Sequence, residues 1–185
     1  MIYSNFEFLL FFAIVFTSYW LVGARIRVYV LLVASYLFYA SWNSKFLALI
    51  LGSTLLDYAV GLKLEQVSVD RRKRWLLLSL AGNLLVLATF KYCDFFIESI
   101  ATFMSALGFD LRWQTLQLVL PLGISFYTFQ SMSYTVDIYR GRTRACRSLP
   151  RFMLYVAFFP QLVAGPIVRA HDLLNQFTRS PRFSS

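Results

Sequence analysis

Six stretches of this chain run with almost no charged or histidine residue: 8–24, 28–44, 46–62, 75–90, 113–136 and 152–168. Their lengths fall between 16 and 24 residues. A bilayer core about 30 Å thick is crossed by about 20 apolar residues in a helix. The third stretch carries a single acid, Asp57, and the fourth is the shortest. Backbone groups in lipid must bond within their own segment or in a closed barrel. Barrel strands alternate apolar and polar positions, whereas residues 9–16, LLFFAIVF, are apolar on every face. The pattern therefore predicts an all-α, polytopic transmembrane helical bundle of about six spans.

Between the fourth and fifth stretches the pattern changes. Phe96, Ile100, Phe103, Met104 and Leu107 share one helical face, while Asp94, Glu98, Thr102 and Ser105 fall elsewhere. This predicts a short amphipathic helix, lying in the membrane interface or packed on the bundle. No GxxxG pairing motif occurs.

Composition sharpens the class. The chain has 185 residues, 58% hydrophobic and 15% charged, against about 45–50% and about 25% in soluble domains. Mean hydropathy is +0.60, which excludes intrinsic disorder. The net charge of +9 would point to nucleic acid in a soluble protein. Here the basic residues sit between apolar runs, so topology and anionic headgroups of a lipid bilayer explain them, and no nucleic-acid partner is expected. Loops after the first, third and fifth spans hold twelve Lys and Arg, the remaining segments six. The richer side is expected in the cytoplasm, with the N-terminus outside. Residues 1–7 carry one acid and no base, unlike the start of a cleaved signal peptide, so the first span reads as a retained helix.

Few residues suggest chemistry. Asp57 in a span either lines an aqueous tunnel or is the buried partner of a helix N-terminus or an arginine. Glu7 suits a helix start. Residues 71–74, RRKR, read as a lipid anchor. Arg140, Arg142, Arg144, Arg147 and Arg151 form a second basic loop, an anchor or a receiver for an acidic partner or phosphorylated donor. Cys93 has no nearby base in sequence, and Cys146 lies among arginines that could favour a thiolate. Two cysteines make no four-ligand metal site, and none is expected. His171 is the only histidine. It is a weak candidate for a general base, because Asp172 beside it points elsewhere on a helix. Pro121 and Gly123 interrupt the fifth span; Pro160, Gly165 and Pro166 interrupt the sixth. Such breaks are packing kinks, or they bend the spans around a cavity or back into the membrane.

At these broken spans the sequence resembles a known family. PLGISFYTFQ at 121–130, YTVDIYRG at 134–141 and FFPQLVAGPIVR at 158–169 look like signatures of the membrane-bound O-acyltransferase family. ASYLFYA at 34–40 and DYAVG at 57–61 agree. The resemblance covers nearly the whole chain and is nearest to the bacterial branch that O-acetylates alginate. It implies a multi-helix tunnel in the bacterial inner membrane. An acyl donor, acetyl-CoA or an acyl-carrier protein, would enter from the cytoplasm. A periplasmic acetyltransferase or polysaccharide-export proteins would complete transfer to the polymer. No cofactor is expected to stay bound. Asp57, Ser125, Gln130, Asp137 and Arg140 are the polar residues that such a tunnel could contact.

The family's catalytic histidine lies in the later half of a longer chain, and His171 falls at the wrong motif. Residues 1–185 therefore read as the N-terminal part of a single acyltransferase domain, inactive alone. Two other readings stay open: a membrane scaffold or transport subunit, and one half of a split acyltransferase.

Overall fold

A computed structural model describes residues 6–107, 121, 123–164 and 168–177. Every regular element among them is helical. In chain order they are α1 (Phe6–Leu21), α2 (Ala24–Asn43), α3 (Leu47–Gln66), α4 (Val69–Ala106), α5 (Ile124–Tyr139), α6 (Leu149–Ala157), α7 (Phe159–Ala164) and α8 (Ala170–Gln176). A 3-10 turn, Ser44–Phe46, joins α2 to α3.

The corners follow from local chemistry. Between α1 and α2 the Arg27 guanidinium lies over the rings of Tyr19, at 4.9 Å, and Trp20, at 5.1 Å. Its Nε donates to the Val22 carbonyl. Arginine stacked on amphipathic rings suits a membrane boundary. Between α2 and the 3-10 turn, Asn43 turns extended, and its Oδ1 accepts from the Lys45 N–H.

The pairings give the directions of the helices. Asp57 meets Ser131, Gly61 lies against Tyr134, and Glu65 bonds Ala145, so α3 and α5 run parallel. Ser79 meets Thr135, and Asn83 shares Asp57 with Ser131, so α4 runs antiparallel to both. Helix α6 packs against α2 and α3. The core is aromatic: Tyr134 and Phe152 rings are 4.5 Å apart, with Tyr155 beside them, and all three are fully buried.

Polar side chains are buried beside this aromatic core while many large apolar ones face outward. Ser35, Thr54, Asp57, Ser79, Asn83, Thr128, Gln130, Ser131 and Thr135 are buried, while Leu9, Ile14, Val33, Leu37, Leu85 and Phe126 are exposed. Hydrocarbon surroundings remove the drive to bury apolar faces and leave polar contacts as the glue between helices. Two helical stretches, Ala24–Gln66 taken through its turn and Val69–Ala106, are long and apolar enough to cross a membrane.

The structure refines these expectations. The short amphipathic helix is not separate: it is the end of α4, a helix of 38 residues, about 57 Å long at 1.5 Å per residue. No glycine or proline lies between Asn83 and Leu107 to stop it. Among the described residues, Phe90 packs on Phe46 of the core, and no α4 residue after Leu87 is fully buried. The sixth span is not one helix. It divides at Phe158 into α6, of nine residues, and α7, of six. The fifth is described as a helix only from Ile124, and the break at Gly165 and Pro166 lies outside the described residues.

Candidate functional site

Asp57 sits where α3, α4 and α5 meet, with no exposed surface. Its Oδ1 accepts from Ser79 Oγ at 2.5 Å and from Asn83 Nδ2 at 3.0 Å. Its Oδ2 accepts from the same Nδ2 at 2.8 Å and from Ser131 Oγ. Ser79 Oγ also meets Thr135 Oγ1 at 3.1 Å. All five side chains are buried. The partners are hydroxyls and an amide on two neighbouring helices; no arginine or helix N-terminus takes that part among the described residues. Desolvating a carboxylate is costly unless its lone pairs are used, and here each oxygen accepts two hydrogen bonds. Ser79 with Asn83, and Ser131 with Thr135, are polar pairs four residues apart. That spacing sets each pair on one helix face and was the signal that singling out charged residues missed.

A second polar knot holds the break between α6 and α7. Pro160 has no N–H and cannot continue the helix that begins at Leu149. The Phe159 N–H turns to Ser35 Oγ on α2, at 3.3 Å. That frees the Tyr155 carbonyl, which accepts from Gln130 Nε2 at 2.7 Å. The Tyr155 hydroxyl in turn donates to the Gln130 carbonyl at 3.2 Å. Gln130 Nε2 is also 3.4 Å from Gln161 Oε1. Side chains from α2 and α5 thus satisfy the Phe159 N–H and the Tyr155 carbonyl, a pair opened by the break. An apolar cleft of about 480 Å³, lined by Phe12, Phe16, Trp20, Phe158 and Pro160, opens beside this break.

A third cluster lies at the end where α3 and α5 finish. The Ala145 N–H donates to Glu65 Oε1 at 2.6 Å, and Arg147 bonds Glu65 Oε2 at 3.1 Å. The Cys146 N–H donates to Tyr134 Oη at 2.9 Å, and Tyr58 Oη donates to the Arg147 carbonyl at 3.0 Å. This end of the loop is therefore fixed. Burial pushes the Cys146 thiol up from its ordinary value, against a backbone hydrogen bond with Ser148 and the Arg151 charge. The thiolate expected among the arginines is thus disfavoured.

The other expected residues scatter. Gln130 belongs to the second knot. Ser125 is half-buried in the first turn of α5, and Asp137 and Arg140 lie at its far end, Arg140 exposed. Asp137 is 3.9 Å from Arg142. His171 falls on α8, and its side chain lies outside the described residues. Tyr155, Ser35 and Glu65 have local roles that no sequence pattern marked, because each depends on a partner far away in the chain.

In sequence, the chain is similar to bacterial proteins named as O-acetylases and O-acetyltransferases. The chain is 45% identical, over 96% of its length, to the probable alginate O-acetylase AlgI of Pseudomonas putida, and 43% identical over the same share to that of Pseudomonas aeruginosa. It is 38% identical over 80% of its length to the peptidoglycan O-acetyltransferase of Helicobacter pylori. The chain is a homologue of part of each of these proteins. It spans only 37%, 34% and 32% of the lengths of these three relatives. No protein-family model and no solved structure matches it.

Proposed function

We propose that this chain is part of a membrane-bound O-acyltransferase that moves an acetyl group to hydroxyls of an exported polysaccharide, alginate in the first instance. The observation that carries this reading is the 45% identity to an alginate O-acetylase across 96% of the chain. The side-chain bonds at the break before Pro160 support it, since a broken helix whose freed groups find side-chain partners can border a membrane tunnel. In this reading the chain crosses the inner membrane about six times with its N-terminus outside. The donor is acetyl-CoA or an acyl-carrier protein on the cytoplasmic face. The acceptor side is served by a periplasmic acetyltransferase or by polysaccharide-export proteins. The general base is a histidine outside these 185 residues, so they do not transfer acetyl groups alone.

The test is a chimera. This chain replaces its matching segment in the Pseudomonas putida relative, in cells lacking their own copy, and alginate acetyl content is measured. Restored acetylation is expected from the chimera and none from the 185 residues alone. A chimera present in the membrane at normal abundance that leaves alginate unacetylated would overturn the reading.

A further inference from the structure

The fixed loop after α5 encloses more than an anchor needs. With α6 and α8 it forms a groove of about 720 Å³ whose lining includes Arg142, Arg144, Arg147, Arg151, Thr143 and Ser148. That volume is within the range of small-molecule sites, about 300–1,000 Å³. Nearby carboxylates offset only part of the charge. Glu65 pairs with Arg147, and Asp137 stands 3.9 Å from Arg142. Arg144 and Arg151 have no carboxylate partner among the described residues. Three consecutive residues, Ala145, Cys146 and Arg147, are tied through their backbones to Glu65, Tyr134 and Tyr58. A lipid anchor works as well when floppy; a recognition site gains from being preorganised.

We propose that this groove is a phosphate-binding site. Guanidinium groups present planar forks that match phosphate oxygens, and the Thr143 and Ser148 hydroxyls can add donors. Two sources carry that chemistry from the cytoplasmic side: a soluble nucleotide-type acyl donor and an anionic phospholipid headgroup. The inference rests on the proposed acyltransferase reading only for what the natural ligand is, not for the anion site.

The purified protein in neutral detergent is titrated calorimetrically with adenosine 3′,5′-bisphosphate and, separately, with dioctanoyl phosphatidylglycerol. Saturable, salt-sensitive binding of the bisphosphate is expected. Arg144→Gln combined with Arg151→Gln should weaken it about tenfold or more, as loss of charge-assisted bonds does. Arg71→Gln with Lys73→Gln on α4 should leave it unchanged, and both pairs should keep the parental melting temperature. If the lipid binds with this same dependence and the bisphosphate does not, the phosphate site stands with a lipid source. Binding of neither probe, or equal loss in both variant pairs, overturns it. The acetylation measured with the chimera is a separate readout, so either idea can fail alone.

Discussion

Asp57 shows how a charge is tolerated inside an apolar helix. Each carboxylate oxygen accepts two hydrogen bonds, and the donors come from two other helices. The residue is therefore a three-helix tie as much as a charge. Asp57→Ala removes the acceptor and leaves Ser79, Asn83 and Ser131 to find others, at about 1–3 kcal/mol for each group left unsatisfied. Partial re-pairing within the membrane reduces that, so a loss of about 2–4 kcal/mol is expected in unfolding from detergent micelles. Asp57→Asn keeps one acceptor oxygen and offers an amide to Ser131 Oγ, which can accept, so it should cost less than about 1.5 kcal/mol. If asparagine proved as damaging as alanine, the charge itself and not the bonding would be what matters. The sequence exposed Asp57 as out of place. It did not identify the partners, because residues 22 to 74 positions away become neighbours only when three helices are laid together.

At the scale of elements, helix starts and stops were legible wherever glycine, proline or an extended residue interrupts the pattern. The end of α4 was misjudged because a polar-apolar face suggested a new element, although nothing in 84–106 breaks a helix. The break in the sixth span was legible from Pro160. What repairs it was not, since Ser35 and Gln130 reach it from other helices. Close packing is equally hidden in the sequence. Gly61 and Gly52 both lie on α3, yet a Cβ on Gly61 would stand 2.8 Å from Tyr134 Oη, and one on Gly52 would meet nothing within 4 Å. Tyr134 cannot yield easily: it is fully buried, stacked on Phe152 and bonded by the Cys146 N–H. Gly61→Ala should therefore destabilise the protein by about 1–3 kcal/mol. Gly52→Ala should be neutral or gain up to about 1 kcal/mol from helix propensity. Equal melting temperatures for the two variants would contradict this packing.

For the whole molecule, the contacts and the charge pattern agree on which helix ends lie together. Basic counts put the loops after the third and fifth spans on the same side. The structure joins those ends directly, through Glu65 on α3 and Ala145 and Arg147 beyond α5. In a background of Cys93→Ser and Cys146→Ser, cysteines at Lys73 and Thr143 should be labelled by an impermeant maleimide from one side of the membrane. A cysteine at Ser105, at the far end of the long α4, should be labelled from the other side. Labelling of Lys73→Cys and Thr143→Cys from opposite sides would refute the parallel arrangement of α3 and α5.

The sequence by itself determined that the chain is helical and strongly apolar, where the first three helices lie to within a few residues, and which family its motifs resemble. Those properties are local: apolar run length, the absence of alternation, and the lack of an N–H in proline are written residue by residue. The tertiary structure alone decided which polar residues meet, that a serine and a glutamine repair the break before Pro160, and that four arginines line one groove. These depend on which helix faces are brought together. In an apolar solvent that choice is made by close packing and by hydrogen bonds between distant segments, so it becomes visible only once the helices are assembled.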